Sequence, residues 1–131
     1  PLTRELEYIE KYLDLQKIRT TNSDYVNLQI VGEAKNLTVA PMIFFPFIEN
    51  AFKHTENRKN SSQIHIKFSI EKDKIIFECE NSYQKSIAQK PDFGGLGNNL
   101  IRKRLRLIYP EKHELEIKDS EGIYQVKLTL V

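Results

Sequence analysis

One cysteine, Cys79, is present in 131 residues. No intrachain disulfide can form, which fits a reducing compartment. No apolar run approaches the length of a membrane span, and no signal peptide is visible. Neither charge dominates: 20 basic and 18 acidic residues leave a net +2, too little to argue for a nucleic-acid partner. There is no internal repeat and no low-complexity segment. Glycine is scarce at five residues, and three of these (Gly94, Gly95, Gly97) fall together. The chain opens with Pro rather than Met, as an excised piece of a longer protein would.

What is present is an ordinary globular composition, 40% hydrophobic and 29% charged, in a length that suits one domain with a real core. Residues 3–18 read as a charged amphipathic helix. Leu6, Ile9 and Leu13 form one stripe, joined by Tyr8, Tyr12 and Leu15, with Glu5 and Glu7 early and Lys17 and Arg19 late, as the helix dipole prefers. Two roles are open to it: core packing, or a connector that continues an upstream helix. Residues 25–31 alternate, with Val26, Leu28 and Ile30 on one side, and predict a half-buried strand.

Residues 40–57 are the most apolar stretch and predict a largely buried helix. Pro46 is expected to kink or restart it. Asn50, Lys53, His54 and Asn57 fall at i, i+3, i+4 and i+7, which places them on one face as a polar stripe. Spacing alone favours a solvated helix edge. Asn and His can ligate a metal or accept hydrogen bonds, and Lys can neutralise phosphate, so the stripe suits an anionic, metal-bearing ligand. Residues 56–62 are polar and aperiodic, a loop.

Ile64, Ile66, Phe68 and Ile70 alternate with polar residues. After a turn at residues 71–74, Ile75, Phe77 and Cys79 repeat the pattern, which predicts an antiparallel hairpin with one covered face. His65 falls on the polar side, a surface residue. Cys79 falls on the apolar side, a core residue rather than a nucleophile. Residues 82–97 show no period. A connection this long in a small domain is typically a functional lid or a linker. A basic helix follows over residues 98–109, with Ile101, Leu105 and Ile108 on one face and Pro110 as its stop. Glycines directly before a helix leave backbone N–H groups free for an anion. Leu115, Ile117, a turn at residues 119–122, and Tyr124, Val126, Leu128 and Leu130 predict a closing hairpin.

Phe47-Ile48-Glu49-Asn50-Ala51-Phe52-Lys53-His54, with Pro41 and Pro46 before it, resembles the N box of LytS-type sensor histidine kinases. Residues 94–110, Gly-Gly-Leu-Gly-Asn-Asn-Leu-Ile-Arg-Lys-Arg-Leu-Arg-Leu-Ile-Tyr-Pro, resemble the second glycine box and following helix of the same kinases. Residues 2–19 are similar to the segment joining their phosphoacceptor region to the ATP-binding domain. The two boxes stand in the family's order, separated by a lid-length gap. Two departures stand out. The first glycine box, Asp-x-Gly-x-Gly, is absent, and Asn81 stands where its Asp would be. Asn98 and Leu100 occupy positions where the subfamily has Leu and Asn.

The resemblance implies an α+β fold, a two-layer sandwich of a mixed, mostly antiparallel sheet with helices on one face: the Bergerat ATP-binding fold of the GHKL superfamily. It divides the chain into a connector helix, residues 1–19, and a catalytic domain, residues 20–131. It implies ATP and Mg²⁺ as cofactors. Asn50 would hold Mg²⁺, Lys53 would meet phosphate oxygens, and His54 would line the pocket. Asn81 would accept a hydrogen bond from the adenine amino group through its side-chain oxygen. Gly95, Leu96 and Gly97 would turn the lid toward the phosphates, Arg104 could reach phosphate, and Glu49 could orient the acceptor or a water. The implied reaction is γ-phosphoryl transfer to a histidine on a dimerisation helix of the same kinase, a homodimer when full-length, then to a response regulator. The implied setting is the cytoplasmic portion of a membrane-bound sensor. Other readings are a degenerate GHKL module without kinase activity, a Ser kinase like an anti-sigma factor, and a plain interaction domain.

Overall fold

The computed structural model describes residues 1–18, 26–34, 37–54, 64–82, 96–120 and 122–131, and of residues 17, 18, 54, 96–98 and 120 the backbone alone. Its described elements are α1 (Leu2–Ile18), β1 (Val26–Val31), α2 (Phe45–His54), β2 (Ile64–Glu71), β3 (Lys74–Ser82), α3 (Leu96–Ile108), β4 (His113–Ser120) and β5 (Ile123–Leu130).

The alternating apolar residues form strands because a pleated chain can then bury one side while wetting the other. Ile64, Ile66, Phe68 and Ile70 of β2 are buried, as are Ile75, Phe77 and Cys79 of β3. The two strands pair antiparallel, Phe68 opposite Phe77 and Glu71 opposite Lys74 at the turn. The final hairpin pairs Leu115 with Leu128 and Ile117 with Val126. The five strands run in the order β1-β2-β3-β5-β4. Only β1 is parallel to its neighbour β2, so the sheet is mixed and mostly antiparallel, as expected. Burial fades along β1, from buried Val26 through half-buried Leu28 to exposed Ile30.

All three helices bury residues into the core that covers the inner face of this sheet. α1 contributes Leu2, Leu6, Ile9 and Leu13, an i, i+4, i+7, i+11 stripe. Core packing is therefore realised by this helix. Tyr8 and Leu15, expected with the stripe, stand 51% and 62% exposed. Tyr12 meets α2 edge-on, its ring 4.7 Å from Phe45 and 5.5 Å from Phe52.

α2 is shorter than the sequence predicts. Residues 41–44 form a turn and bend, with Met42 at φ 61°, and the helix begins at Phe45. The carbonyl of Phe44 accepts from Phe47 N at 3.2 Å and Ile48 N at 3.4 Å. Pro46 thus sits in the first turn, where its missing N–H has no intrahelical partner to lose. It opens the helix rather than kinking it. Below α2, the rings of Phe44, Phe68 and Phe77 lie 5.1 Å apart pairwise, with Phe47 6.0 Å from Phe77. Each such ring contributes roughly 1.5–3 kcal/mol by burial, so this cluster fixes α2 on β2 and β3.

Candidate nucleotide site

The inner-face alternation of β3 runs one position past Cys79 and places Asn81 there, 2% exposed. It pairs across the sheet with Ile64 of β2 and Tyr124 of β5, two buried apolar neighbours. Its Nδ2 donates to Ser82 O at 3.2 Å. Among the described residues no donor meets its Oδ1. A buried acceptor left without a donor is costly. An exocyclic amino group would satisfy it, and that is the donor adenine presents.

α2 lies over the same face of β3, with Phe47 on Phe77. Opposite its buried Phe47, Ile48, Ala51 and Phe52, it carries exposed Glu49 and Lys53 and half-buried Asn50. The polar stripe is therefore present as far as the described residues reach. His54 closes the helix by its backbone. Asn57 and the 56–62 loop, with its Arg58 and Lys59, lie outside the described residues. So do Gly95 and most of the aperiodic 82–97 connection, residues 83–94, read as a lid or a linker. Leu96 and Gly97 form the first residues of α3, two positions earlier than the sequence predicts.

α3 is anchored by buried Leu105. Arg104, beside it, points its guanidinium into the turn before α2. Nη1 donates to Met42 O at 3.1 Å, and Nη2 donates to Pro41 O. In this arrangement Arg104 is engaged by backbone carbonyls and not presented to phosphate. Two more side chains reach the same turn: Tyr109 Oη accepts from Ala40 N at 2.9 Å, and Glu5 Oε2 accepts from Met42 N at 3.2 Å. Sequence reasoning missed Glu5 and Tyr109. Their acceptor atoms meet backbone donors 37 and 69 positions away, a relation that no local pattern signals.

The other histidines and the cysteine are accounted for. His113 Nδ1 lies 2.7 Å from Tyr109 O, closing the end of α3. His65 is exposed on the sheet face away from the helices, and Cys79 is buried. A concavity of about 420 Å³ lies on that open face, where Lys67, Lys118 and Lys127 meet Glu78, Glu80 and Glu116. Three positive and three negative groups leave no net charge to draw a phosphate. No cluster of His, Cys, Asp or Glu among the described residues is placed to hold a metal. The half-buried amide of Asn50 offers the hard oxygen that Mg²⁺ accepts alongside water and phosphate ligands.

No protein-family model matches the chain. The chain is 26% identical over 133 residues to sensor protein LytS of Staphylococcus epidermidis, covering 92% of this chain and 22% of LytS. It is 32% identical over 81 residues to sensor protein kinase HptS of Staphylococcus aureus, covering 61% of this chain and 15% of HptS. The chain thus spans less than a quarter of either relative. Among solved structures, the histidine kinase domain of a blue-light activated kinase from Erythrobacter litoralis superposes with TM-score 0.64 at 14% identity, covering 99% of this chain and 64% of that one. Histidine kinase ThkA, solved in complex with the response regulator TrrA, gives TM-score 0.56 at 15% identity, covering 95% and 40%.

The fold is the one seen in histidine kinase catalytic domains. Its sequence relatives include the sensor protein LytS and the sensor protein kinase HptS.

Proposed function

We propose that this chain is the ATP-binding catalytic domain of a sensor histidine kinase, and that it presents ATP·Mg²⁺ for γ-phosphoryl transfer to a histidine of a dimerisation helix. The observation that carries the reading is Asn81: a buried acceptor lacking a donor among the described residues, on the sheet face that α2 covers. Its Oδ1 takes the adenine amino group. Asn50 holds Mg²⁺, which neutralises charge on the phosphates when bound. Lys53 meets phosphate oxygens, His54 lines the pocket, and Glu49 orients the acceptor or a water. Gly95, Leu96 and Gly97 bring backbone N–H groups to the phosphates at the start of α3. Phosphoryl transfer is catalysed mainly by positioning and charge stabilisation, which is what this set supplies.

That the named relatives are sensor kinases supports phosphotransfer over a nucleotide-binding module without it. In the whole protein, α1 would continue into the phosphoacceptor segment, the kinase would dimerise through it, and a response regulator would take the phosphoryl group. The ThkA–TrrA complex supports such a partner. No helix among the described residues is long and apolar enough to cross a membrane. We place this domain on the cytoplasmic side of a membrane-bound sensor.

Calorimetry with ATP tests the reading. Binding should tighten with Mg²⁺, and Asn50→Ala should abolish most of that Mg²⁺ effect. Asn81→Ala should weaken ATP about tenfold, the worth of one hydrogen bond in a buried site, while leaving the Mg²⁺ effect intact. No heat and no thermal shift at millimolar ATP would sink it.

A further inference from the structure

The turn before α2 is held in an unusual way. Its backbone groups are met by side chains rather than by other backbone. Ala40 N–H goes to the Tyr109 hydroxyl, Pro41 and Met42 carbonyls go to the Arg104 guanidinium, and Met42 N–H goes to the Glu5 carboxylate. Pro41 has no N–H to satisfy. Met42 is not glycine, yet it takes a left-handed φ of 61°, a conformation that persists only where surroundings impose it. Its side chain is 40% exposed, so packing of the methionine does not impose it. The three polar side chains do. The Met42 residue is gripped from both ends, its N–H by an anion and its C=O by a cation, and such charge-assisted bonds are stronger than neutral ones.

The gripping residues come from α1, which packs on α2 through Tyr12, and from α3 and its end. Glu5 is on α1. Arg104 is on α3, which begins at Leu96 within the glycine box, and Tyr109 follows its end. The turn they hold leads through Phe44 into the first turn of α2, whose amides at Phe47 and Ile48 hang from the Phe44 carbonyl. A shift of this turn must carry α2 with it, and with α2 the stripe of Asn50 and Lys53.

We propose that Arg104, Glu5 and Tyr109 form a latch on residues 40–42 that sets the position of α2 relative to the nucleotide. Arg104 is a positioning residue, not a phosphate ligand. The latch makes one peptide segment sensitive to both α1 and α3, so movement of either helix reaches the phosphate- and metal-binding side chains. This inference rests on the nucleotide reading given above.

The experiment has two readouts on the same protein. The first needs no nucleotide: amide hydrogen exchange at Ala40, Met42, Phe47 and Ile48, with β2 and β3 as internal controls. The second is ATP·Mg²⁺ affinity. Arg104→Ala should speed exchange at the four amides, leave β2 and β3 unchanged, and weaken ATP about fivefold, an effect that corresponds to part of one charge-assisted bond. Added methylguanidinium should restore both, and equimolar methylammonium should not. Glu5→Ala should act in the same direction at Met42, and Glu5→Gln, which keeps an acceptor oxygen but loses the charge, should recover only part of the effect. If Arg104→Ala fails to fold, the Glu5 pair carries the test. Unchanged exchange overturns the latch. Faster exchange with unchanged ATP affinity overturns its role in positioning the site. A wild-type chain that binds no ATP sinks the nucleotide reading instead, and the exchange result then decides the latch alone.

Discussion

Cys79 and Asn81 lie two residues apart on the buried side of β3, and burial bears on them differently. The thiol is pushed from its ordinary 9.0 up to about 12, first by burial and then by the charge of Glu80. It stays protonated at neutral pH and behaves as a small apolar group. The sign of its effect on stability follows. The folded state holds this proton more tightly than the unfolded state, so the contribution is complete below about pH 9 and is lost as pH rises through 12. Urea unfolding should show wild type losing stability relative to Cys79→Ala across that window. A gap between the two proteins that stays constant with pH would contradict it, because a cavity left by the alanine costs the same at every pH. Asn81 has no such ionisation. An amide can be buried uncharged and still offer an acceptor, which is how this site differs from one built on Asp.

At the scale of elements, the end of β1 is set by Gly32. Its φ is +97°, and a Cβ there would meet Ile70 O at 2.2 Å. Gly32→Ala combines a disfavoured backbone conformation with a backbone clash, so it should destabilise the fold by roughly 1–3 kcal/mol. The denaturant slope should not change. A midpoint within error of wild type would show that β1 gives way freely at its edge. The strands themselves were legible in the sequence, because a half-covered sheet forces a period of two and Ile64 through Cys79 keep it. The same period carried Asn81 to the inner face, and the polar stripe of α2 was legible from its spacing of three and four. The start of α2 was half legible. Pro46 pointed to a kink or a restart, and the helix does start beside it, at Phe45. Residues 40–44 are nevertheless as apolar as the helix that follows, and the side chains that hold them as a turn, Glu5, Arg104 and Tyr109, are distant in sequence. The engagement of Arg104 was hidden in the same way. Its sequence context reads as a solvated basic face or a phosphate contact, and nothing local reveals the two carbonyls that it meets. The exposure of Ile30 follows from β1 lying at the sheet edge, a consequence of strand order that one strand's pattern does not contain.

For the molecule as a whole, the proposed function assigns nucleotide binding and phosphoryl acceptance to different parts. Of the three histidines, His54 ends α2 and in that reading lines the pocket rather than receiving the phosphoryl group, while His65 faces outward from the open side of the sheet and His113 is tied to Tyr109 O, neither of them on a helix. Incubated with labelled ATP, this chain alone should gain no acid-labile, base-stable phosphate. Label of that kind on residues 1–131 would show the division to be wrong. Adding an upstream phosphoacceptor segment should make the label appear.

The sheet order β1-β2-β3-β5-β4 has a consequence for how the chain is made. The strand latest in sequence, β5, is not at an edge. It lies between β3 and β4 and is hydrogen-bonded to both. Until β5 is made and free to pair, β3 has an open side, and β4 has no partner among the other described strands. Leu128 is then missing opposite Phe77 and Leu115. The sheet stays in two pieces with an unpaired edge, the condition in which strands join the wrong chain, until β5 slides between them.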